Sequence, residues 1–580
     1  MVRATWAVAY TAFERSDIAA DPAGRHRATI PSVVDPAGRR WARPSGRGYP
    51  DMSQLSRRHF LTGTAAAAAA LTVRAPSVHA QKRDSTVRFV PQADLKVLDP
   101  IWTTAYITRN HGYLVYDTLF GTDEQLRVKP QMVETWSVAA RGLRWSFRLR
   151  DGLRWHDGQP VVAEDAVESI KRWGRRDPLG KLLLAHTAKL APVDRKTFAL
   201  ELAQPFALVL DALGKPSSNV PFIMPARVAA TPDTEQIKEL VGSGPFRFVK
   251  DEWQPGYQVV YVRNPDYVPR RDAPSGSTGA KKVAVERVVW RYIPDAATAA
   301  AALEAGEVDW WELPPVDFMP RIEANPALTT FILDPRGTQG WIRPNHLQPP
   351  FDRKAARQAL LYMVDQRQYL QGVIGQPRYY RTCAALFSCG GPWESTAGAP
   401  PGQDLAKAAG LVKASGYDGR PVVALDATDI PLVHGAALVA RELMTQIGFT
   451  VDLQAMDWST VVARRAKKDP PAQGGWNVLF TWWIASDVIN PAVHAGVSGG
   501  GAGAWFGWPE NAEIERLRLE WVRTADRSRQ KQLAEQIQRI AYDEVMYIPF
   551  GQVVQPTAYR RAMTGVLRFP APLFWNVSVG

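Results

Sequence analysis

The stretch Leu143–Trp173 constrains the fold most, because two different hydrophobic periods follow one another within it. Apolar and polar residues alternate over Trp145–Leu149, and a period of two is typical of a half-buried strand. Asp151-Gly152 predicts a turn into a second short extended run. From Ala163 onward the apolar residues follow i, i+3, i+4, i+7 spacing, which predicts an amphipathic helix. The passage therefore predicts a strand hairpin followed by a helix.

The length of the chain predicts more than one lobe. A chain of 580 residues is longer than one hydrophobic core usually serves. Its composition, with 46% hydrophobic and 22% charged residues, is typical of globular proteins. Further along, helical and strand patterns alternate over residues 404–454, which predicts a sheet with helices on its faces. We therefore expect an α/β fold.

The amino-terminal region has the organisation of an export signal. Residues 1–51 are rich in Arg, Pro and Gly, and Met52 begins a different pattern. The run Ser56–Leu61 resembles a twin-arginine motif, a weakly apolar segment follows, and Val78-His79-Ala80 suits a cleavage site. We expect a signal peptide at 52–80 and translation from Met52, with residues 1–51 as spurious upstream sequence. A basic tail before an Ala-rich helix is the alternative.

The charge of the remaining chain is mild. Residues 1–80 carry 11 of the 70 Lys and Arg and 5 of the 57 Asp and Glu, which leaves a net charge of +7. No basic run with interleaved aromatic residues is present, so nucleic acid is not an expected partner. No Cys lies near the cleavage site, so we expect a soluble periplasmic protein without a lipid anchor.

Several motifs resemble one family. They are the Trp–aromatic–Leu–Arg–Asp–Gly–Leu–Arg–Trp–His–Asp–Gly order of the opening stretch, Gly242–Phe246, Asn264–Tyr267, Gly306–Trp310 and Pro349–Asp352. Together they resemble the family 5 solute-binding proteins, the extracytoplasmic receptors of peptide/nickel-type ABC importers. A phosphate loop is the competing interpretation of Gly242-Ser243-Gly244, but no Lys-Ser/Thr follows. We expect these glycines to allow positive φ in a turn.

The resemblance implies a periplasmic-binding-protein fold of type II, with two α/β lobes around a hinged ligand cleft. Lobe I would comprise residues 82–335 and 548–580, with a subdomain at about 116–215, and lobe II residues 336–547. It also implies a monomer without a cofactor that binds a peptide or peptide-like solute and delivers it to inner-membrane permease subunits. The twin-arginine translocase would be its partner during export. A receptor for a non-peptide organic solute is the alternative.

The resemblance also suggests which residues line the cleft. The segments that contain Trp341, Trp482 and Trp483 resemble cleft-lining segments of the family. Weaker candidates follow the first strand, namely Gln92, Trp102 and Tyr106. An indole offers a large rigid apolar face at low entropic cost. Ordinary core packing is the alternative for each aromatic residue.

One departure from the family concerns the ligand's amine. Peptide-binding members hold the α-ammonium with an Asp shortly after a Gly-Trp pair, because an unpaired buried charge is costly. Here Trp482 replaces the Gly, Ser486 falls near the expected Asp, and Asp487 follows one place later. Either Asp487 is presented by a shifted loop, or the amine site is lost and the ligand need not be a peptide.

Catalytic and metal-binding alternatives have weak support. Gly496–Gly500 fits G-x-S-x-G, but the surrounding Pro and Gly predict a loop around Ser498 instead of the nucleophile elbow of a serine hydrolase. No dinucleotide, iron–sulfur or haem motif indicates an exported cofactor enzyme, and no His cluster recommends a nickel chelate. Export favours a disulfide between Cys383 and Cys389, with two free thiols as the alternative.

Overall fold

The computed structural model of the protein describes residues 85–580, so the predicted signal peptide and upstream segment lie outside the described residues. The strands are β1 Thr86–Val90, β2 Asp117–Thr118, β3 Phe120–Thr122, β4 Val128–Pro130, β5 Val133–Ala139, β6 Arg144–Leu149, β7 Thr187–Pro192, β8 Thr197–Leu202, β9 Phe222–Ile223, β10 Phe246–Phe248, β11 Gln258–Arg263, β12 Arg287–Arg291, β13 Trp310–Trp311, β14 Leu328–Phe331, β15 Thr338–Pro344, β16 Tyr380–Arg381, β17 Val422–Ala427, β18 Val451–Met456, β19 Val478–Ile484, β20 Ile548–Val553, β21 Thr557–Arg560, β22 Met563–Thr564 and β23 Ser578–Val579.

Helices are interspersed among these strands, as the alternating sequence patterns predict. They are α1 Tyr106–Val115, α2 Ala163–Arg176, α3 Pro178–Ala185, α4 Val209–Leu213, α5 Ala226–Ala229, α6 Ala296–Ala305, α7 Met319–Ala324, α8 Lys354–Tyr362, α9 Gln366–Val373, α10 Leu405–Ala414, α11 Pro431–Gln446, α12 Trp458–Arg464, α13 Ala512–Arg523 and α14 Arg527–Asp543.

The first large sheet has seven strands in the order β10-β11-β12-β1-β13-β21-β14. β1 lies near its centre and pairs in parallel with β12 and β13, whereas the strands toward both edges pair antiparallel. The residues of β1 are almost all buried, as expected for a central strand covered on both faces. This sheet combines strands from residues 86–331 with one strand from the carboxyl-terminal region.

The second large sheet has six strands in the order β16-β20-β15-β19-β17-β18, all from residues 338–553. The chain enters it between Phe331 and Thr338, close to the predicted crossover. The predicted return at 548 is too early, because Ile548–Val553 forms β20 and pairs with β15 and β16. The chain rejoins the first sheet only at β21, which begins at Thr557.

The stretch Leu143–Trp173 folds as its two periods predict. β6 is a central strand of a four-stranded antiparallel sheet in the order β5-β6-β8-β7, and α2 packs against β7 and β8. The second extended run does not become a strand and forms only an isolated bridge between Arg154 and Pro160. The turn at Asp157-Gly158 therefore closes a loop that leads into α2.

One buried carboxylate fixes the start of α2. Asp165 accepts hydrogen bonds from the Val162 amide at 2.8 Å, the Ala226 amide at 2.7 Å and the Trp155 indole at 3.3 Å. These bonds satisfy an orphan amide of the helix terminus and join the preceding loop to α5. The acid that the sequence places in the first turn therefore positions the helix against its neighbours.

Gly242 and Gly244 are required for a different reason from the one expected. Neither has positive φ; both lie against the backbone at the end of α1. A Cβ on Gly242 would lie 1.8 Å from the Val115 carbonyl oxygen, and the Gly244 amide donates to that oxygen at 2.9 Å. The motif therefore permits a close approach of two backbones, which places α1 beside β10.

We expect Gly242→Ala to destabilise the protein by about 3 kcal/mol, because the backbone of α1 must move to admit the methyl group. Gly410→Ala, on α10, is the matched control, since a methyl group on this exposed glycine would have no other atom within 4 Å. Alanine in a helix interior stabilises by about 1 kcal/mol. Chemical denaturation measures both variants. Equal stability of Gly242→Ala and wild type would contradict the close approach of the two backbones.

Candidate functional site

Two adjoining cavities lie between the seven-stranded and six-stranded sheets. Both are small in this structure, about 50 and 80 Å³. Gln92, Leu313, Trp482 and Gln555 line both cavities. The two cavities are therefore parts of one cleft, and residues attached to both sheets form its walls.

Parallel strands place two polar side chains together in this cleft. β1 and β13 are neighbours in parallel register, with Phe89 beside Trp310. Glu312 follows β13 directly and Gln92 is the second residue after β1, and the carboxyl ends of parallel strands meet at one edge of a sheet. The side chains consequently form a hydrogen bond although they are 220 residues apart in sequence.

Glu312 is a buried carboxylate that the chain itself solvates. Its Oε2 accepts a hydrogen bond from the Gln92 amide at 2.8 Å. Its Oε1 accepts from Gln92 Nε2 at 3.1 Å and from Asn110 Nδ2 at 2.8 Å. Burial nevertheless raises the pKa of Glu312 to about 7, although these bonds and the charge of Arg109 lower it. The acid therefore titrates near neutral pH.

Helix α1 brings a tyrosine and an arginine to the same cavity. Tyr106 and Arg109 are three residues apart, so they share one face of the helix, and both line the cavity. The Arg109 guanidinium lies 4.6 Å from the centre of the Tyr106 ring. It donates to Ser217 Oγ at 2.7 Å and to Asn110 Oδ1 at 2.8 Å. Within residues 85–580, Arg109 has no acid within ion-pair distance.

Asp487 joins the end of β19 to α1. Its Oδ2 accepts hydrogen bonds from Tyr106 Oη at 2.9 Å and from Ser217 Oγ at 3.1 Å. The same tyrosine oxygen accepts from the Ile484 amide at 2.8 Å. Burial raises the pKa of Asp487 to about 6, although the charges of Lys215 and Arg109 lower it. A second buried carboxylate thus lies close to Arg109.

Further polar contacts join the two sides of the cleft. Lys96 Nζ lies 2.8 Å from Asp457 Oδ1, and Tyr292 Oη donates to Asp429 Oδ2 at 2.7 Å. Lys96 and Tyr292 belong to the side of the first sheet, and their partners belong to the side of the second. The structure therefore shows the cleft in a closed arrangement.

Three of the predicted ligand-binding residues line the cleft: Gln92, Tyr106 and Trp482. The Trp482 ring contacts Tyr106 with ring centroids 6.0 Å apart and Trp458 with centroids 4.8 Å apart. Trp482 thus forms an apolar wall that faces the polar groups at the ends of β1 and β13.

Trp341 and Trp483 lie elsewhere. Successive side chains of a strand point to opposite faces, so Trp483 faces away from the side on which Trp482 lies. It stacks on Trp341 with centroids 5.2 Å apart, and Trp341 stacks on Tyr547 at 3.9 Å. Neither tryptophan lines either cavity, and Trp341 is completely buried. Their placement is that of core residues behind the cleft wall.

Trp102 and Asp487 also do not line either cavity. The Arg176 guanidinium lies 4.6 Å from the centre of the Trp102 ring, outside the cleft. Asp487 lies behind Tyr106, whose hydroxyl donates to one of its oxygens, while Oδ1 is buried and has no hydrogen-bond partner within the described range 85–580. The shifted-loop alternative, in which Asp487 reaches the ligand directly, therefore has no support from this closed arrangement.

The sequence reasoning overlooked Glu312 and Arg109. The segment Gly306–Trp310 marks the approach to β13, and Glu312 is the first charged residue beyond that strand. A polar residue at the carboxyl end of a buried parallel strand is a recognisable signal for a site. Arg109 carried no such signal, because only the fold turns its face of α1 toward Glu312.

Cys383 and Cys389 form a disulfide in the structure. The bond closes a short loop after β16, at the edge of the six-stranded sheet. Cys383 is buried, and its sulfur lies 3.9 Å from Gln339 Nε2. The bridge is therefore integrated into the second sheet and is separate from the cleft.

The surroundings of Ser498 differ from those of a hydrolase nucleophile. A short 3₁₀ turn, Ala495–Val497, precedes the residue where a nucleophile elbow needs a strand. Ser498 Oγ donates to Glu515 Oε1 at 3.1 Å, and the Gly499 amide donates to the same oxygen at 2.7 Å. This serine secures a loop to α13.

Neither a metal cluster nor a membrane span is found in the described part of the chain. Among residues 85–580, no group of three or more His, Cys, Asp or Glu side chains is arranged to hold a metal ion. No helix over the same residues combines the length and apolar character needed to cross a bilayer.

Comparison with protein families gives two matches. The pattern of the bacterial extracellular solute-binding proteins, family 5 (middle region), matches residues 127–500. The pattern of the twin-arginine translocation pathway signal sequence matches residues 54–73. The second match confirms the predicted export signal.

Individual proteins resemble the chain over most of its length. A probable peptide ABC transporter periplasmic-binding protein of Sinorhizobium fredii is 38% identical, over 90% of this chain and 99% of the relative. The glutathione-binding protein GsiB of Escherichia coli K12 is 23% identical, over 82% and 91% respectively. A dipeptide-binding protein of Pseudoalteromonas, solved with Met-Leu, is 17% identical over 85% and 100%, with a TM-score of 0.73. The predicted two-lobe α/β fold is confirmed.

The raised pKa of Asp487 predicts a pH-dependent stability difference. Its folded-state pKa, about 6, lies above that of an unfolded chain, so its contribution to stability is greatest below pH 4 and is lost as the pH rises through 6. We expect the free energy of unfolding of wild type, minus that of Asp487→Asn, to fall by about 2 kcal/mol between pH 4 and pH 8. Denaturation at both pH values measures it.

Asp317→Asn is the control for this measurement, because Asp317 is exposed. Its difference from wild type should change by less than about 0.5 kcal/mol over the same pH range. A pH-independent difference for Asp487→Asn would contradict the burial of an ionisable carboxyl group at this position.

Proposed function

The chain belongs to the bacterial extracellular solute-binding proteins of family 5, and on that premise we propose that it captures peptides or peptide-like solutes for an ABC importer. The protein is exported and periplasmic. Its partners are the twin-arginine translocase during export and the inner-membrane permease subunits that receive the solute. We propose that it acts as a monomer.

One observation carries this proposal: the cleft is lined by residues attached to both sheets. A solute seated against Gln92 and Trp482 contacts both sides at once, so its binding energy favours the closed arrangement. We propose that residues 85–335 and the chain beyond 553 form one lobe, and residues 336–553 the other. The two crossovers then serve as the hinge, and the sheet at 133–202 belongs to a subdomain of the first lobe.

Two considerations support a peptide as the solute. The Sinorhizobium relative, 38% identical, carries the name of a probable peptide-binding protein. The cleft also combines an aromatic wall, Trp482, with charged groups at Glu312 and Arg109, which suits a short chain with apolar and ionic parts. Ser486, in place of the expected acid, favours the second candidate, a non-peptide organic solute.

We propose binding without chemical change. The polar groups of the cleft bond mainly to one another: Glu312 to Gln92 and Asn110, and Asp487 to Tyr106. A nucleophile elbow needs a strand before its serine and a helix directly after it. Ser498, the residue with a nucleophile motif, follows a 3₁₀ turn, and its bond to Glu515 secures the loop to α13.

We expect the purified mature protein to retain tripeptides and to release them intact. It would be incubated with an equimolar, Lys-free tripeptide mixture, separated from unbound peptide by gel filtration, denatured, and the released material identified by mass spectrometry. Retention of intact tripeptides supports the proposal. Absence of any retained peptide would favour the non-peptide candidate, and recovery of fragments alone would indicate hydrolysis.

Two tryptophan variants distinguish the cleft wall from the core behind it. Tripeptide retention measures the first, and the free energy of unfolding measures the second. Trp482→Ala should reduce tripeptide retention at least tenfold, because it removes a wall common to both cavities. Trp341→Ala removes a fully buried core residue and should lower stability by about 3–5 kcal/mol. Unchanged retention by a folded Trp482→Ala protein would place the peptide elsewhere.

A further inference from the structure

We propose that a primary ammonium group of the bound solute is held by Glu312 together with Gln92 Oε1, on the opposite side of the cleft from the 486–487 segment. This inference rests on the proposed function, since it concerns the solute in the same cleft. It makes the residues at the ends of β1 and β13 the determinants of specificity for amines.

Glu312 has an acceptor site that the chain leaves unused. An ionised carboxylate offers about four lone-pair sites. Three are used by Gln92 N, Gln92 Nε2 and Asn110 Nδ2, at 2.8, 3.1 and 2.8 Å. Oε2 accepts only one of these bonds, and the side chain lines the cavity. A donor from the solute can therefore complete its coordination.

Gln92 supplies a second acceptor. Its Nε2 donates to Glu312, which fixes the orientation of the amide and turns Oε1 away from that carboxylate. Gln92 Oε1 is buried and has no hydrogen-bond partner among the described residues, although Gln92 lines both cavities. Leaving a buried acceptor without a donor is costly. An ammonium group has three donors and no acceptor, so it suits a pair of acceptors.

Glu312 also has no basic side chain paired with it among the described residues. Within residues 85–580, Glu312 has no Lys, Arg or His within ion-pair distance. The charge of Arg109 lowers the pKa of Glu312, but the guanidinium bonds to Asn110 and Ser217, and its charge also lowers the pKa of Asp487. Lys215, which also acts on Asp487, is itself paired with Asp177. The charge of one guanidinium thus acts on two buried carboxylates, Glu312 and Asp487. A cationic solute would balance the remaining negative charge.

The rival carboxylates differ from Glu312 in their position or in their partners. Asp487 accepts from Tyr106 and lines neither cavity. Asp429 lines the first cavity, but its oxygens accept from Tyr292 Oη at 2.7 Å and from the Trp458 amide at 2.7 Å. Asp334 lines the second cavity and pairs with Arg336 through Oδ1 at 2.8 Å, so its charge has a basic partner, although its Oδ2 has no hydrogen-bond partner among residues 85–580. Glu312 differs from these carboxylates because it bonds to Gln92, whose Oε1 offers a second acceptor to the same solute cation.

The test compares two probes: the Lys-free tripeptide mixture and the same mixture after amino-terminal acetylation. Wild type should bind the free-amine mixture about 100-fold more tightly than the acetylated one. Glu312→Gln keeps the size of the side chain and removes its charge. It should bind the free-amine mixture about 100-fold more weakly than wild type and should no longer discriminate between the two mixtures.

Three further variants make the result decisive. Gln92→Met, which removes the amide acceptor together with the Nε2 donor to Glu312, should reduce affinity for the free-amine mixture about tenfold, and it serves if Glu312→Gln does not fold. Asp429→Asn and Asp487→Asn report on the rival carboxylates and should each cost less than Glu312→Gln. Glu513→Gln, at an exposed helix position, is the control for charge removal and should bind as wild type does.

The outcomes separate this inference from the proposed function. If wild type binds both mixtures equally, or if Glu312→Gln retains its preference for free amines, peptide binding stands and the ammonium site is overturned. A larger loss in Asp429→Asn or Asp487→Asn also overturns it. If wild type binds neither mixture, the proposed function fails and this inference fails with it.

Discussion

The hydrogen bond between Tyr106 and Asp487 is the interaction on which the geometry of the cleft depends. It joins α1, beside the first sheet, to the residue that follows β19 of the second, and the same tyrosine oxygen accepts the Ile484 amide. With α1 held in this way, Arg109 lies against the Tyr106 ring and Asn110 bonds to Glu312. A single buried polar chain therefore extends from one sheet to the other. Burial in this chain of contacts raises the pKa values of two carboxylates, Glu312 and Asp487.

Such a site suits reversible capture. Buried polar groups must be satisfied in both the free and the occupied protein, and here most of them find partners within the chain. Among residues 85–580, the exceptions at this site include Gln92 Oε1 and Asp334 Oδ2, on residues that line the cavities, and Asp487 Oδ1, just behind the wall. A solute then needs to add only a few hydrogen bonds to the existing network, and Trp482 provides the apolar surface that it contacts.

The sequence predicted the elements with strong periodicity and the disulfide pair. The reason inferred for Gly242 and Gly244 was wrong, because a close backbone approach and positive φ both select glycine and only the three-dimensional structure distinguishes them. The return to the first sheet was placed too early, since Ile548–Val553 is extended in either arrangement and its partner is set by long-range pairing.

The candidate site was less accessible to sequence reasoning. Trp482 and Trp483 are adjacent residues of the same type, so the sequence does not distinguish them. The pleat of β19 decides which one faces the cleft. Glu312 lies beyond a recognised motif, and its importance arises from Gln92, which is distant in sequence and adjacent in the sheet. Local patterns predict elements, whereas the partners of a buried charge depend on the assembled fold.

The identity of the solute that the protein carries in its own periplasm tests the central claim most directly. The native protein would be purified without refolding, denatured, and the released small molecules identified by mass spectrometry before and after amine acetylation. We expect peptides or peptide-like molecules with a free amine that acetylation modifies. A native solute that lacks an amine would contradict it.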